Sequence, residues 1–204
     1  VELLGYSGGR LHFARLSSAK ALDLVRAAKK KKLNLTCDIA AYQALLDDSL
    51  LEDFDTNYKV NPPLREKVDL SALIGGLKDG TIDVLTSGHL PQDTESKVLE
   101  FDHADFGIIN LQTFASQLAS LSKHVDVHVL VEKVTGAPRK LLKLTIPTIE
   151  KDEKANLTLF DPTEKWVFTE ESSYSKSKNS PWIGKEIVGK AKAVFNNSKF
   201  WMDA

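Results

Sequence analysis

Histidine, cysteine and serine are the side chains with which this chain could bind a metal or supply a nucleophile. The five histidines stand at positions 12, 89, 103, 124 and 128. Only His124 and His128 have a spacing, four residues, that places two metal ligands on one helix face, and no Glu follows the first of them. We interpret both as surface histidines, because the motif is incomplete.

The sequence also lacks the known motifs that surround a catalytic serine or cysteine nucleophile. No Ser lies in a Gly-x-Ser-x-Gly turn, and the single cysteine, Cys37, falls inside a predicted strand without a motif around it. The Ser7-Gly8-Gly9 stretch is too short to hold a phosphate and is predicted to be a turn.

Composition narrows the class of protein. The chain has 204 residues, of which 27 are basic and 28 acidic, so a net charge of −1 gives no reason to expect nucleic acid or an anionic membrane as a partner. One cysteine excludes an internal disulfide, and no apolar run approaches a membrane span. We expect a cytoplasmic protein. Because the sequence opens on Val1 rather than Met, we also expect a piece of something longer.

Apolar periodicity predicts three strands that alternate with helices. The strands are Leu11–Ala14, the alternating stretch 33–37 and Ile82–Thr86. Ser17 or Ser18 is predicted to cap the first helix and Asp69 the second, which Gly80 ends. This order is typical of parallel βα units, in an open sheet or in part of a (β/α)₈ barrel.

The second half of the chain has a different pattern of apolar residues. After a polar loop over 91–106, Asn110 is predicted to cap a helix. A further helical stretch is predicted from about Asp126 to Leu144, with an interruption at Gly136-Ala137-Pro138. Beyond Pro147, alternating apolar residues separated by turn-rich stretches predict strands. We therefore expect two regions, residues 1–147 and 148–204.

Chemistry in parallel βα folds occurs where strands end, and three predicted strand ends should converge here. They supply Arg15 after the first strand, Tyr42 and Gln43 after the second, and Gly88, His89 and Gln92 after the third. A hydrolytic metal site needs several His or carboxylate ligands and a general base. This set offers at most one ligand, which argues against metal-assisted hydrolysis.

Several motifs in order closely resemble the C-terminal half of the dihydroorotases, metal-dependent cyclic amidases of the amidohydrolase superfamily. They are the segments 58–65, 76–84, 101–107, 155–162 and 175–181. The resemblance implies the C-terminal part of a (β/α)₈ TIM-type barrel, with residues 148–204 as strands of a small β-sandwich subdomain. It also implies zinc-dependent interconversion of dihydroorotate and N-carbamoyl-aspartate in active members.

The resemblance is weakest at the catalytic motifs. Where the family has His-x-x-His-Val-Ser, the chain keeps His12 but has Arg15 at the metal-binding His. Where the family has Thr-Pro-His-His-Leu, Tyr42 and Gln43 replace both histidines. Where the family has Asp-His-Ala-Pro-His, Gly88 replaces the catalytic Asp. A glycine cannot accept a proton, and a guanidinium repels a metal cation.

The pocket positions implied by the resemblance are better preserved. They are Asn61, His89, Gln92, Phe106 and Gly107, with Gln92 standing where the family has a substrate-facing His. We therefore expect no catalytic residue, no metal ligand and no cofactor in this chain, and whether the whole protein is an enzyme stays open.

Three hypotheses follow. The first is a non-catalytic dihydroorotase homologue with a structural or partner-binding role, for which the resemblance suggests aspartate transcarbamoylase as partner. The second is a zinc-dependent dihydroorotase that is active when full length. The third is a binding protein that uses the old pocket for another small ligand. Half a barrel would leave strand edges unpaired, so we also expect a homo-oligomer or other contacts that cover them.

Overall fold

The architecture was obtained as a computed structural model, which describes residues 1–196 and 198–203. It is a mixed α/β structure with one parallel and one antiparallel sheet, as the sequence predicts. None of its helices in the described ranges is long and apolar enough to cross a membrane.

The parallel sheet has the order β1-β2-β3 and positions the candidate site. Its strands are β1 (Leu11–Phe13), β2 (Leu35–Ala40) and β3 (Val84–Thr86), in a parallel register that pairs His12 with Thr36 and Ile39 with Leu85. Because all three strands run the same way, their carboxyl ends meet at one edge.

Three helices belong to this half of the chain: α1 (Glu2–Ser7), α2 (Ala19–Lys30) and α3 (Lys67–Lys78). Apolar side chains of α2 and α3 pack against one face of β2 and are almost fully buried; they are Leu22, Val25, Leu73 and Leu77, against Cys37 and Ile39. Successive side chains on a strand alternate between faces, so Thr36 and Asp38 lie on the opposite face of β2.

The helix starts differ from prediction in two of three cases. Ser18 caps α2 as expected, since its side chain accepts a hydrogen bond from the Ala21 N–H. The cap of α3 is Glu66 rather than Asp69, whose Oδ1 instead accepts from the Ala19 N–H and ties α3 to α2. Asn110 lies too early to cap the next helix, which follows Thr113.

The second half contains α4 (Phe114–Leu121), α5 (Val127–Val134) and α6 (Gly136–Leu142). The predicted helical stretch 126–144 is thus two helices separated at Thr135. The antiparallel sheet follows with the order β4-β5-β6, formed by β4 (Leu157–Val167), β5 (Glu186–Asn196) and β6 (Lys199–Met202).

Helix α4 packs closely on β5. Gly189 has φ +96°, and a Cβ there would come 2.5 Å from Ala119 Cβ, so the helix and the strand approach as only glycine allows. Ser116 Oγ donates to the Gly189 carbonyl at 2.5 Å, and the Trp166 indole N–H donates to the same carbonyl at 3.0 Å. These contacts connect the βα half to the antiparallel sheet.

Candidate functional site

The carboxyl edge of the parallel sheet brings together residues from all three strand ends. Arg15 lies two residues beyond β1, Tyr42 lies in a short 3-10 turn directly after β2, and Gly88 lies two residues beyond β3. We call this group, with Gln43 and His89, the strand-end site.

A relay of polar side chains fixes the turn that carries Arg15. Thr36 Oγ1 lies 2.8 Å from His12 Nδ1, and Asp38 Oδ2 lies 2.8 Å from His12 Nε2. The other carboxylate oxygen, Asp38 Oδ1, accepts a hydrogen bond from the Arg15 N–H at 2.9 Å. Arg15 has φ 55°, an uncommon conformation for a residue with a side chain. The relay is thus the structural support of this turn, and the sequence analysis assigned no role to Thr36 or Asp38.

The Tyr42 ring fills the space in which a side chain on residue 88 would lie. Gly88 has φ +62°, and a Cβ on it would lie 2.6 Å from Tyr42 Cε1 and 2.7 Å from Ala40 Cβ. Real Cβ atoms do not approach that closely, and the Tyr42 ring is 98% buried. A side chain at position 88 therefore requires the aromatic ring to move.

Tyr42 and Gln43 each place a group beside this contact that can donate a hydrogen bond. Burial raises the pKa of the Tyr42 hydroxyl, and the nearby Arg15 guanidinium partly offsets that rise, so the phenol keeps its proton at neutral pH. Gln43 Oε1 accepts from the Ala40 N–H at 2.9 Å, which leaves Gln43 Nε2 buried without a partner.

His89 faces away from the Tyr42–Gly88 contact. Its Nδ1 accepts hydrogen bonds from the backbone N–H groups of Asn110 at 2.8 Å and Leu111 at 3.1 Å. A nitrogen that accepts carries no proton, so the neutral ring holds its proton on Nε2. Partial burial lowers the pKa of His89, which also favours the neutral ring.

Asn110 is the centre of a buried network that the sequence analysis missed. Its side-chain amide donates to the Ser87 carbonyl and exchanges hydrogen bonds with the side chain of Gln117, and Thr113 Oγ1 donates to its Oδ1 at 2.9 Å. Asn110 and Gln117 are 1% and 2% exposed. A buried Asn whose groups are all used is a positioning residue, and this one fixes the loop after β3 to α4.

Asn179 fixes the other end of the same loop. Its Oδ1 accepts from the Gln92 N–H at 3.2 Å and its Nδ2 donates to the Leu90 carbonyl at 3.0 Å. It lies in the 175–181 segment, so the motif was the available signal for its importance.

Three of the pocket positions implied by the resemblance lie together. Gln92 Nε2 donates to the Phe106 carbonyl at 2.8 Å, and a Cβ on Gly107 would come 3.1 Å from Gln92 Cγ. Gly107 in turn donates its N–H to the Lys59 carbonyl. Asn61 is exposed two residues beyond Lys59 and makes no side-chain hydrogen bond within the described part of the chain.

Two lysines hold the long loop 91–106 in place. Lys59 Nζ donates to the Asp102 carbonyl and lies 4.8 Å from the centre of the Phe106 ring. Lys97 Nζ donates to the Asp105 carbonyl at 2.7 Å, and burial, with repulsion from Lys59, lowers the pKa of Lys97 to about 8.

The strand-end site does not fit a zinc ion. A guanidinium has no lone pair for a metal, the Tyr42 phenol is held protonated, and Gln43 Oε1 is already committed to the backbone. No group of three His, Cys, Asp or Glu side chains with metal-binding geometry occurs in residues 1–196 and 198–203. Of the strand-end residues only His89 has a nitrogen that could bind zinc or accept a proton, and its Nδ1 already accepts two backbone hydrogen bonds. The set falls short of the several ligands and the base that a hydrolytic zinc site needs.

A cavity of about 960 Å³ opens beside the loop, and His89 of the strand-end site belongs to its lining whereas Arg15, Tyr42, Gln43 and Gly88 do not. It lies between the segment before α4 and the antiparallel sheet. Its lining includes His89, Asn110, Trp166, Tyr174 and Trp201.

The known proteins that are most similar in sequence among those compared are dihydroorotases. The chain is 38% identical over 196 residues to a dihydroorotase of Trichlorobacter lovleyi and 39% identical over 193 residues to one of Carboxydothermus hydrogenoformans. These alignments cover 94% and 93% of the chain but 45% of each relative. The chain thus spans about half the length of the curated relatives that it matches. No family model matches it.

Solved structures give the fold. An L-hydantoinase (dihydropyrimidinase) from Arthrobacter aurescens superposes with a TM-score of 0.89 at 21% identity, covering 99% of this chain and 47% of that one. An inactive dihydroorotase-like domain of a multifunctional protein from Chaetomium thermophilum superposes with a TM-score of 0.73 at 18% identity, covering 98% and 53%. The fold is therefore that of the C-terminal part of amidohydrolase barrels, as the sequence predicts.

Proposed function

The chain belongs to the dihydroorotase-like amidohydrolase family and corresponds to its C-terminal half, and we propose that it is part of a non-catalytic member with a structural or partner-binding role. In this proposal the strand-end site keeps the loops of the enzyme without its acid–base chemistry or its metal.

The observation that carries the proposal is the close contact between Tyr42 and Gly88. A glycine alone at a catalytic position could be compensated by a neighbouring group. Here the space above the glycine is filled by the buried ring of Tyr42, and the charge that acts on its hydroxyl is the cation of Arg15. Because this ring leaves no room for a side chain at position 88, the contact supports a site that works without the family's catalytic Asp.

The hydrogen bonds around the site support the proposal that the loop after β3 keeps its shape for a structural role. The Asn110 network and the Asn179 clamp hold the loop between Ser87 and Gln92 with buried, fully used side chains. The conformation of this loop is thus held by side chains from two other parts of the chain, which supports a structural role for it. The C. thermophilum domain, described as inactive and dihydroorotase-like, has the same fold.

Partner binding is the second part of the proposal. The family resemblance suggests aspartate transcarbamoylase, and the exposed apolar side chains of β6, Phe200 and Met202, favour contacts that cover this edge strand. Those contacts would be with a partner or with a second copy of the protein. Light scattering of the intact gene product, alone and with the transcarbamoylase of the same cell, would test both, and a monomer in both samples would contradict this part.

One alternative is supported by a specific observation. The curated relatives at 36–39% identity are named dihydroorotases, so the intact protein could be a working zinc enzyme if residues outside this chain supplied the ligands and the base. It would then need a metal centre that does not use Arg15, Tyr42 or Gly88.

Turnover of dihydroorotate by the intact gene product separates the two functions. The protein is assayed in both directions, with and without added zinc, beside an active dihydroorotase handled in the same way. The proposal predicts no turnover above the buffer blank in any condition. Zinc-dependent turnover comparable to that of the active enzyme would establish the alternative.

A further inference from the structure

Four aromatic side chains form part of the wall of the cavity between the segment before α4 and the antiparallel sheet. Trp166 meets Phe168 edge to face at 5.8 Å between ring centres, and Tyr174 meets Trp201 in the same way at 6.3 Å. The cavity volume of about 960 Å³ lies within the range of about 300 to 1,000 Å³ typical of small-molecule sites, whose walls are mostly apolar and aromatic. The walls are therefore suited to a flat ring.

Hydrogen bonds hold these walls in place. Gln112 Nε2 donates to the Ser172 carbonyl at 2.7 Å, and Gln112 Oε1 accepts from the Tyr174 N–H at 2.9 Å, so one side chain fixes the loop that carries Tyr174. The Trp166 ring is fixed by the hydrogen bond from its indole N–H to the Gly189 carbonyl. Because this part of the wall is ordered before a ligand enters, binding costs less conformational entropy.

The charges that line the cavity do not favour an anion. Lys190, the lysine among the described lining residues, lies 2.5 Å from Asp203 through its Nζ, and the same ammonium lies 5.5 Å from the centre of the Trp166 ring. The second carboxylate of the lining, Glu171, is exposed. An anionic ligand would therefore enter without a free cation to pair with, which is costly. The cavity favours an uncharged molecule.

Two polar groups of the lining lack a partner. Ser173 Oγ is buried and makes no hydrogen bond within residues 1–196 and 198–203. His89 uses Nδ1 as an acceptor, which leaves its Nε2–H as a donor. A buried hydroxyl without a partner costs free energy, so its presence points to a ligand atom that can bond it. A carbonyl oxygen or a ring nitrogen would accept from either group.

We propose that this cavity binds an uncharged, flat aromatic compound that carries a carbonyl or ring-nitrogen acceptor, with Tyr174 and Trp201 contacting the ring and Ser173 Oγ and His89 Nε2 as donors to the acceptor. The inference goes beyond the proposed function, because the cavity shares only His89 with the strand-end site. Its test does not depend on turnover or on metal content.

Calorimetric titration of the intact gene product with three matched compounds tests the inference. We expect 2-naphthamide, which is flat and uncharged, to bind saturably with submillimolar affinity. Its anionic analogue 2-naphthoate should bind at least about tenfold more weakly, because its carboxylate finds no free cation. Decahydro-2-naphthamide, which keeps the amide but is saturated and not flat, should also bind more weakly.

Substitutions in the wall locate the binding. Tyr174→Leu and Trp201→Leu should each weaken 2-naphthamide binding about three- to tenfold. The matched controls are Tyr6→Leu and Phe200→Leu, two exposed aromatic residues outside the lining, and both should leave the affinity unchanged. Ser173→Ala should weaken binding about two- to tenfold through the lost hydroxyl. Thermal unfolding of each variant confirms that the fold is intact.

Three results would overturn the inference. The first is no saturable binding of 2-naphthamide in the submillimolar range, which is also the result expected if another part of the intact protein fills the cavity. The second is equal affinity in the wild type and in folded Tyr174→Leu and Trp201→Leu. The third is binding of 2-naphthoate or of the saturated amide as tight as that of 2-naphthamide, which would overturn the assignment to an uncharged aromatic ligand.

Discussion

The Tyr42 ring lies where a side chain on residue 88 would have to be, with Tyr42 Cε1 2.6 Å from the position of a Cβ on Gly88. Positions 42 and 88, which the family resemblance assigns to a metal-binding His and to the catalytic Asp, are thus sterically coupled. We therefore expect that reverting either one alone would not rebuild a catalytic site.

The contact between Tyr42 and Gly88 predicts the effect of adding a single methyl group at position 88. Gly88→Ala should lower the free energy of unfolding by about 2 to 4 kcal/mol, from the positive φ and from the overlap with the ring. Gly80→Ala is the matched control, because Gly80 has φ +78° but nothing within 4 Å of its Cβ position. It should cost only about 1 to 2 kcal/mol in urea denaturation. Equal costs at the two sites would show that the Tyr42 contact is not limiting.

Removing the ring should make position 88 more permissive. In a double-mutant cycle with Tyr42→Leu, the cost of Gly88→Ala should fall by about 1 kcal/mol or more, because the overlap is relieved while the strain of the positive φ remains. The measurement is urea denaturation of wild type, both single variants and the double variant. Additive costs would mean that the two residues do not interact.

The relay around His12 should be essential for the turn that carries Arg15. Asp38→Ala leaves the His12 ring and the Arg15 N–H without their acceptor, so we expect a loss of about 1 to 3 kcal/mol in the free energy of unfolding. Asp23→Ala is the control, because it removes only a surface pair with Arg26 and should cost less than about 1 kcal/mol. Hydrogen exchange should also speed up at the Arg15 amide in Asp38→Ala, and unchanged exchange there would contradict the relay.

Lys97 should make stability increase with pH. Its pKa is about 8 in the folded chain and about 10.5 in an unfolded one, so between these values the unfolded chain carries the extra proton. The free energy of unfolding should therefore rise from pH 8 upward, whereas at pH 7 the charged amine is a burden. Cys37 acts in the opposite direction above pH 9, because burial raises its thiol pKa to about 11.

The measurement is urea denaturation of wild type and Lys97→Met from pH 7 to pH 9, a range in which Cys37 contributes little. The wild type should gain stability relative to the variant across this range. A wild-type free energy of unfolding that stays constant relative to the variant, or that falls relative to it as pH rises, would contradict the assignment of a lowered pKa to Lys97.

His89 should be neutral, with its proton on Nε2, at neutral pH. Burial lowers its pKa below the ordinary 6.5, and two backbone N–H groups use Nδ1 as their acceptor. Long-range ¹H–¹⁵N correlation spectra should therefore show the Nε2–H tautomer at pH 7.5, assigned with His89→Gln. An imidazolium signal for His89 at that pH would contradict the geometry.

Much of this fold could be predicted from periodicity and motif order. The strands at Leu11 and Ile82 and the Ser18 cap follow from local residue patterns, which act over a few residues. The caps predicted at Asp69 and Asn110 were wrong for a shared reason, since the Asp69 side chain bonds the Ala19 N–H and the Asn110 side chain bonds the Ser87 carbonyl, both distant in sequence. Local pattern does not distinguish a capping side chain from one that binds a distant element.

The same limit applies to the strand-end site. Arg15, Tyr42 and Gly88 could each be placed at a strand end from the sequence, and the structure brings them to one edge. That the Tyr42 ring fills the space over Gly88 depends on the spacing of β2 and β3, which sequence does not report. Thr36 and Asp38 could have been recognised, because they alternate with the buried Cys37 and so face away from the helices.

The most direct test of the central claim is the zinc content of the intact gene product, measured by elemental mass spectrometry after purification with zinc present and removal of loosely bound metal by gel filtration. A site built from Arg15, Tyr42 and Gly88 predicts much less than one zinc per chain. A stoichiometry near one or two zinc ions per chain would contradict the account.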